Sequence, residues 1–315
     1  MTNPVANSIS VSRECPACVL VNSAAGGGRA KAYLPRIQKL FTDLRFPAEF
    51  VLTGSAEELA AKVQQAITNH YKFLIAMGGD GTFHGLVNAA TGEDVVLGIL
   101  PAGGGNDFAA GLGLPRDPIA AVRAIAGGQP RWVDLIRAST ADGRTQLYAG
   151  GGGVGLDAEA ARHASGAYRH IPGRFRYIAS ALHALAGYAP LGVNIDFPGS
   201  DLSPIKAKAL LAAVLNTPTY GAGLRLAPEA DMHDGFLDVV LIEELSLFGV
   251  LALLPRLMVS GELRSSRVKR WRAQRVRFMT DQPAMLHGDG EILGPTPVEI
   301  EVVPRAMRVL APAAP

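Results

Sequence analysis

The segment that most constrains the fold is Met77-Gly-Gly-Asp-Gly-Thr-Phe83, which directly follows the apolar run Lys72-Phe-Leu-Ile-Ala76. The run predicts a buried strand, and the two adjacent glycines predict a sharp turn at its carboxyl end. A helix is expected over Phe83–Ala90. Backbone N–H groups at such a turn suit phosphate oxygens, and the Asp80 carboxylate suits a magnesium ion. A turn that merely needs glycine is the alternative, although Gly-Gly-Asp-Gly-Thr at a strand end is more specific than that.

The same order of strand, glycine-rich turn and helix recurs through the first part of the chain. Ala17–Val21 predicts a strand that ends in Asn22-Ser-Ala-Ala-Gly-Gly-Gly28. Val95–Leu100 predicts another that ends in Pro101-Ala-Gly-Gly-Gly-Asn-Asp107. This repetition is typical of an open, mostly parallel sheet with ligand-binding loops at the carboxyl ends of its strands. We therefore expect an α/β domain over residues 1–140.

The pattern changes after Leu135, where short apolar runs begin to alternate with Gly, Pro and Asp turns. This is typical of antiparallel strands. The runs lie at 146–150, 193–197, 207–216, 236–243, 275–279 and 298–303, with helical segments near 175–185 and 245–263. We expect a C-terminal antiparallel β-sandwich domain over residues 141–303. The final run, Met307–Leu310, would return to the first domain and add about residues 304–315 to it.

Charge and hydropathy restrict the classes of partner. Thirty Lys and Arg residues nearly balance 28 Asp and Glu residues, so no overall field favours nucleic acid. The segment Met1–Arg13 lacks the regions of a signal peptide, and the longest apolar run, Leu245–Val259, is interrupted by Pro255 and Arg256. We expect a cytoplasmic protein that is soluble or lies on a membrane surface. The cysteines of Cys15-Pro-Ala-Cys18 are expected to be reduced thiols.

Five segments resemble the diacylglycerol kinase catalytic family, in particular the soluble bacterial lipid kinases related to diacylglycerol and sphingosine kinases. They are Val21–Gly26, Gly78–Thr82, Leu100–Ala109, Asp234–Asp238 and Asp289–Glu291, within a likeness that runs from about Val19 to the C-terminus. Gly-Gly-Asp-Gly-Thr alone is shared with NAD kinases and phosphofructokinases, whereas Asn-Asp-Phe-Ala and Asp-Gly-Glu favour lipid kinases. The resemblance implies an NAD kinase/diacylglycerol kinase-like fold with ATP in the cleft between the two domains.

The resemblance also implies which residues bind the nucleotide. They are Asn22, Gly26, Thr53, Gly78, Gly79, Asp80, Gly81, Thr82, Gly104 and Asn106. A helix-capping role is the alternative for Thr53. Family members usually carry a threonine where this chain has Gly104, so one hydroxyl contact is missing. Arg29 and Lys31 could supply cations to the phosphates.

Carboxylates provide the candidates for catalysis. Asp80, Asp107 and Asp134 each follow a strand-like run, so all three could converge at one edge of a sheet. The resemblance implies an aspartate–water–magnesium network at these positions, and a loop cap is the alternative for Asp134. Glu291 is expected to be the general base that accepts the proton of a lipid hydroxyl, with Asp289 close to it. An Asp-Gly hairpin turn is the alternative for this segment.

A second, structural magnesium site is implied by the segment Asp231-Met-His-Asp-Gly-Phe236, which resembles one in the bacterial members. Its ligands would be Asp231, Asp234 and the backbone oxygen of Phe236. Acidic residues three apart with a glycine between ligands are compatible with an oxygen cage. A simple Asp-Gly turn explains the same residues equally well.

The sequence therefore predicts an ATP- and magnesium-dependent lipid kinase that phosphorylates a hydroxyl of diacylglycerol or a sphingoid-type lipid. Two basic stretches, Arg162–Arg176 and Arg264–Arg277 around Trp271, predict transient contact with an anionic membrane, with a solvated face as the alternative. No nucleic-acid partner is expected, and a homodimer is left open. The alternative functions are an NAD kinase-like or other soluble-acceptor kinase, and a non-catalytic nucleotide- or lipid-binding regulator.

Overall fold

Four apolar runs form the parallel sheet of an N-terminal α/β domain in this computed structural model, which describes residues 16–168, 175–221, 223–245, 249, 252 and 266–313. The strands are β1 (Ala17–Asn22), β2 (Ala48–Thr53), β3 (Phe73–Gly78) and β4 (Val96–Pro101). Their order in the sheet is β4-β3-β1-β2, and all three pairings are parallel. Every residue of β3 and β4 is buried, because helices cover both faces of the sheet.

The helices of this domain follow the carboxyl ends of the strands. They are α1 (Ala25–Asp43), α2 (Ala56–Thr68), α3 (Asp80–Ala89), α4 (Asp107–Gly111) and α5 (Pro118–Ala126). The regular part of α1 begins only after three glycines with positive φ, near the expected start at Ala30. In contrast, α3 begins at Asp80, three residues earlier than expected, so the aspartate lies in the first helical turn. The loops that precede these helices therefore meet at one edge of the sheet.

The C-terminal domain consists mainly of antiparallel strands with two described helices. The elements are β5 (Gln129–Thr140), β6 (Thr145–Tyr148), β7 (Gly151–Gly155), α6 (Leu156–Ser165), α7 (Phe175–Gly187), β8 (Leu191–Asp196), β9 (Ile205–Leu215), β10 (Leu237–Glu243), β11 (Val268–Ala273), β12 (Arg275–Thr280), β13 (Met285–Gly288), β14 (Glu291–Pro295) and β15 (Val298–Ala311). The expected fold class, an α/β domain followed by an antiparallel β-rich domain, is confirmed.

One long strand, β15, connects the two domains. It pairs antiparallel with β5 over most of its length and with β12 at its start. Near its end it runs parallel to β4, with Arg308 opposite Val96 and Val309 opposite Leu97. The runs 298–303 and 307–310, which the sequence separated, are thus one strand with an irregularity between Val303 and Met307.

The structure also describes part of the remaining predicted segments, namely one short apolar run, one helical segment and the two cysteines. The run 146–150 proves to be the end of β6 and the crossing to β7, while most of the helix expected near 245–263 lies outside the described residues. Cys18 is buried, and burial raises the pKa of its thiol to about 11, whereas Cys15 lies outside the described residues. In the described part of the chain, the helices are all too short or too polar to cross a bilayer.

Candidate active site

A cleft of about 720 Å³ lies between the two domains, at the carboxyl ends of β1, β2, β3 and β4. One part of its wall consists of glycine-rich loops from the first domain. The other part is apolar and comes from the second domain, with side chains of Leu156, Leu185, Leu210, Leu211, Leu224 and Ile242. The single cleft therefore has a polar part, called here the polar chamber, and an apolar part, called the apolar chamber.

The main loop, residues 78–82, is held by its own aspartate. Asp80 accepts hydrogen bonds from the backbone N–H of Asn106, at 2.6 Å, and of Phe108, at 3.4 Å. Burial, followed by the charges of Asp107 and Asp289, raises the pKa of Asp80, and these two backbone donors oppose that shift. The carboxylate thus links the main loop to the loop after β4 while it carries a negative charge that the surroundings do not favour.

The companion loop, residues 103–106, owes its shape to Asn106. Asn106 has a left-handed φ of 60°. Its side-chain oxygen accepts the N–H of Gly103 at 3.1 Å, and its amide nitrogen donates to the oxygen of Gly103 at 3.0 Å. Asn106 was expected to contact the nucleotide, but its side chain closes the loop instead. Gly104, where the family's threonine is absent, lines the cleft.

The first loop approaches the companion loop so closely that only glycine fits. A Cβ on Gly26 would lie 2.1 Å from the carbonyl oxygen of Ala102, and Gly26 has a φ of 61°. Asn22 donates to the hydroxyl of Thr82 at 3.0 Å, so it joins the first loop to the main loop. These contacts make the three loops one packed surface.

Thr53 contributes to the same surface rather than to a helix cap. Its hydroxyl donates to the carbonyl oxygen of Val21 at 3.3 Å. The cap of α2 is Ser55, which accepts the N–H of Glu58 at 3.2 Å, while Glu58 accepts the N–H of Gly54 at 2.7 Å. The expected nucleotide-binding residues that line the cleft are Asn22, Gly26, Thr53, Gly79, Asp80, Gly81, Thr82 and Gly104, whereas Gly78 and Asn106 lie behind its wall.

The hairpin of β13 and β14 brings Glu291 to the main loop. Its turn is Asp289-Gly290, where both residues have positive φ, so the hairpin interpretation of this segment and its functional interpretation are compatible. A Cβ on Gly81 would lie 2.6 Å from Oε1 of Glu291, which places the carboxylate against the first turn of α3. Desolvation is the main cause that raises the pKa of Glu291; His84 opposes it and Asp289 adds to it.

Asp289 anchors this hairpin to the connection between β6 and β7. Its carboxylate accepts backbone N–H groups of Ala149, Gly150 and Gly151 at 2.6, 2.9 and 3.2 Å. Burial raises the pKa of Asp289, and these hydrogen bonds oppose the shift. The residue therefore fixes where Glu291 lies.

The carboxylates around the main loop fit a divalent cation that keeps water ligands. Asp80, Asp107 and Asp289 are close enough for the charges of the last two to raise the pKa of the first. A hard cation would neutralise this crowded negative charge. In the described part of the chain, no three His, Cys, Asp or Glu side chains are gathered tightly enough to ligate a metal directly. Magnesium, which retains several waters, suits such an arrangement better than a fully dehydrated ion.

Asp134 does not join this cluster, which corrects the expected convergence. It lies within β5 rather than at its end, and β5 is antiparallel to β15 instead of belonging to the parallel set. The side chain is buried and accepts the N–H groups of Gly235 and Arg305, each at 2.7 Å. Asp134 therefore supports the loop at residues 231–236.

That loop keeps its shape through its own partners. Asp231 accepts the N–H of His233 at 3.0 Å, and Asp234 accepts the N–H of Phe236 at 2.9 Å. Asp234 also pairs with Arg272, whose guanidinium lies 5.0 Å from the centre of the Phe236 ring. Each carboxylate thus has a partner within the protein, and the second magnesium site at Asp231, Asp234 and the backbone oxygen of Phe236 stays a prediction.

The second basic stretch forms a paired face where the structure describes it. The pairs are Lys269 with Glu243, Arg272 with Asp234, Arg275 with Glu301 and Arg277 with Glu299. Trp271 is half-buried, with its ring centre 6.0 Å from that of Phe197. Arg264 and the side chains of Arg162, Arg169, Arg174 and Arg176 lie outside the described residues.

A second buried polar group lies on the cleft wall and was not predicted from the sequence. The Tyr220 hydroxyl donates to Asp157 at 2.6 Å and lies 3.1 Å from Nδ1 of His287. Burial raises the pKa of Asp157 to about 6, and burial together with His84 lowers that of His287 to about 4. Asp157 comes two residues after the buried strand β7 and lies in the first turn of α6, and this position after a strand is the signal that could have revealed it.

Arg116 was also missed. It is exposed, and it is the single cation among the described residues that line the cleft. Its position in the loop before α5, with a guanidinium nitrogen 2.8 Å from where a Cβ on Gly223 would lie, places it at the mouth of the cleft. A cation there faces a wall that is otherwise rich in carboxylates, as transfer of a charged group requires.

Comparison with known proteins gives consistent matches along the chain. Residues 16–138 match the diacylglycerol kinase catalytic domain, and residues 152–311 match the YegS C-terminal NAD kinase beta sandwich-like domain. The chain is 31% identical over 264 residues to the diacylglycerol kinase of Mycobacterium tuberculosis strain H37Rv, covering 83% of this chain and 84% of that protein. It is 24% identical over 297 residues to the diacylglycerol kinase of Bacillus subtilis strain 168, covering 93% and 95%.

The fold also has a counterpart among solved structures. The crystal structure of a diacylglycerol kinase from Bacillus anthracis strain Sterne aligns with a TM-score of 0.71 at 20% identity. The alignment covers 94% of this chain and 96% of that one. The similarity at this identity concerns the arrangement of both domains.

Proposed function

The chain belongs to the diacylglycerol kinase family, and from that premise we propose that it transfers the γ-phosphoryl group of ATP to a hydroxyl of diacylglycerol or a sphingoid-type lipid. The class of enzyme follows from the family: it is a lipid kinase and hence a phosphotransferase. The identity of the acceptor and the roles of individual residues are parts of the proposal.

The observation that supports the proposal best is the joined cleft. Glycine-rich loops suited to phosphate form one chamber, and leucine and isoleucine side chains suited to an acyl chain form the next. Glu291 lies against the first turn of α3 and is one of the residues that line the cleft. A phosphate donor and an apolar acceptor could thus approach each other beside one carboxylate.

In this proposal the first-domain loops hold the nucleotide. Backbone N–H groups around Gly79 and Gly81 lie at the start of α3, where the helix dipole and unpaired donors favour phosphate. Asp80 and Asp107 would hold magnesium through water. A bound magnesium ion would supply positive charge to the phosphate oxygens. Arg116, in the loop before α5, would add a further cation to the cleft.

Glu291 is the proposed general base. It would accept the proton of the acceptor hydroxyl as the new P–O bond forms and the bond between the γ-phosphorus and the ADP oxygen breaks. The base must be ionised for this step. Because desolvation raises its pKa, activity should fall as the pH drops through that raised value.

Phosphoryl transfer from labelled ATP to a panel of diacylglycerol, ceramide, sphingosine and NAD tests the proposal. A labelled lipid product, together with loss of turnover of roughly a thousandfold in Glu291→Gln at unchanged affinity for an ATP analogue, is expected. Label in NAD alone would establish a soluble-acceptor kinase instead. Nucleotide binding without any product would point to a regulator, and near-normal turnover of the variant would remove Glu291 from its role.

We also propose that the enzyme visits an anionic membrane to collect its lipid. The apolar chamber suits an acceptor that resides in a bilayer. Because the described cations of the second basic stretch are largely paired with carboxylates, their contribution to docking should be weak and sensitive to salt. Sedimentation with liposomes of increasing anionic lipid content measures this contact, and binding that ignores the lipid charge would refute it.

A further inference from the structure

His84 lies on the face of α3 that points toward the Glu291 hairpin. It is 7% exposed, and it is four residues beyond Asp80 on the same helix. Its Nδ1 is buried and has no hydrogen-bond partner in the structure. The same atom faces Oδ2 of Asp289 at 4.0 Å. Burying an imidazole nitrogen without a hydrogen-bond partner costs free energy. The nearby carboxylate is therefore the candidate partner for Nδ1.

The surroundings of the other ring nitrogen assign the tautomer. Nε2 lies 3.4 Å from the amide nitrogen of Asn88. That amide is oriented by Leu147, whose N–H it accepts at 3.0 Å and to whose carbonyl oxygen it donates at 2.7 Å. The two N–H groups of that amide donate to the carbonyl oxygens of Leu147, at 2.7 Å, and of His84 itself, at 2.9 Å. Because an amide nitrogen accepts no hydrogen bond, a proton on Nε2 would find no acceptor there, and the proton of the neutral imidazole is therefore placed on Nδ1. The Nδ1–H group then points at Asp289.

Asp289 has capacity for one more donor. Its carboxylate accepts three backbone N–H groups from residues 149–151, whereas an ionised carboxylate offers about four sites. A closing movement of about 1 Å would bring Nδ1 into hydrogen-bond range of Oδ2. Catalytic contacts are often this long before substrate binds and tighten in the complex.

We propose that His84 is a positioning residue: its Nδ1–H binds Asp289 as the cleft closes, and so fixes the hairpin that carries Glu291 against the helix that carries the main loop. This contact joins the nucleotide side of the site to the proposed base, since α3 begins at Asp80 and the second strand of the hairpin begins at Glu291. The inference rests on the proposed function, because it assumes that Glu291 acts on the acceptor.

Two substitutions of His84 distinguish the effect of the Nδ1–H donor from the effect of losing the imidazole ring. His84→Asn can place an amide N–H where Nδ1 lies, whereas His84→Gln places its amide near Nε2 and cannot reach Asp289. For His84→Gln we expect kcat for the lipid acceptor to fall 10- to 30-fold, with the KM for ATP and the melting temperature nearly unchanged. For His84→Asn we expect kcat within about threefold of wild type.

Equal losses in both variants, or normal kcat in His84→Gln, would overturn the inference. So would a parallel rise in the KM for ATP, because a general loosening of α3 would affect nucleotide binding as well. If His84→Gln fails to fold, His84→Leu replaces it, since leucine fills similar volume without a donor.

Hydrogen exchange of the hairpin at residues 285–295, measured with a bound ATP analogue and magnesium, provides a readout that needs no turnover. Faster exchange in His84→Gln than in His84→Asn is expected, and equal exchange would refute the contact. If wild-type protein phosphorylates no lipid, the proposed function fails, but this exchange difference still decides whether His84 holds the hairpin.

Discussion

Individual atoms decide how closely Glu291 approaches the main loop. Gly81 has no side chain, and the space that a Cβ would need is occupied by Oε1 of Glu291 at 2.6 Å. Glycine is therefore needed at this position to leave room for the Glu291 carboxylate, and not because the backbone has an unusual conformation. A side chain here would displace the end of a flexible glutamate, which costs little folding free energy but changes the position of the proposed base.

Gly81→Ala tests this relation. We expect kcat to fall at least a hundredfold, because a displacement of about 1 Å at a reacting group has effects of this size, while the free energy of unfolding changes by less than about 1 kcal/mol. Steady-state kinetics and urea unfolding measure the two quantities. Gly187→Ala is the control, since no atom lies near its added Cβ. Unchanged kcat in Gly81→Ala would contradict the placement of Glu291.

Burial disfavours the ionised form of the Asp157 carboxylate. Its folded-state pKa of about 6 is above the unfolded value, so its contribution to stability is present below about pH 4 and is lost as the pH rises through about 6. At pH 8, Asp157→Asn should therefore be more stable than wild type, by about 2 to 3 kcal/mol. The difference should shrink as the pH falls to 4.5. Urea unfolding across this range measures it, and a less stable variant at pH 8 would refute the pKa shift.

At the scale of elements, short loops depend on side chains that bind their own backbone. Asn106 closes the companion loop through two hydrogen bonds to Gly103 and also provides the N–H that Asp80 accepts. The left-handed conformation of Asn106 suits asparagine or glycine. The loop after β4 and the main loop thus form one unit.

Asn106→Gly and Asn106→Ala separate these contributions. Glycine keeps the left-handed backbone and loses the side-chain bonds, so we expect a loss of stability of about 1 to 2 kcal/mol. Alanine adds the strain of a positive φ and should cost about 1 kcal/mol more. Thermal unfolding gives the stabilities, and titration with an ATP analogue should show weaker binding in both. Equal stability of all three proteins would mean that the loop does not depend on Asn106.

The sequence predicted the parallel sheet and its loops well because strand, glycine and helix signals are local. It failed at Asp134, because the run Arg131–Leu135 is the middle of an antiparallel strand and only pairing with β15 reveals that. It could not place Asp157, Tyr220 and His287 together, since they come from three separated segments. The carboxylate partners of the second basic stretch could not be predicted either, because they lie on neighbouring strands.

At the scale of the whole molecule, the two domains share β15 and should unfold together. The two tryptophans allow a direct test. Trp132 lies in the part of β5 whose residues Val133 and Leu135 pack in the core of the first domain, whereas Trp271 on β11 packs against the core of the second. We expect Trp132→Phe and Trp271→Phe proteins to show coincident urea transitions by fluorescence, matching circular dichroism. Separate midpoints would show that the domains unfold independently despite the shared strand.

The shared strand also has a consequence for biosynthesis. Within the described chain, β15 is the last strand to leave the ribosome. Three earlier strands pair with it: β4 in parallel, and β5 and β12 antiparallel. Until residue 311 has emerged, the apolar edge of β4 remains open, and unpaired edges of this kind favour association with other chains. The nascent protein should therefore depend on chaperones until β15 has been translated and has paired with these strands.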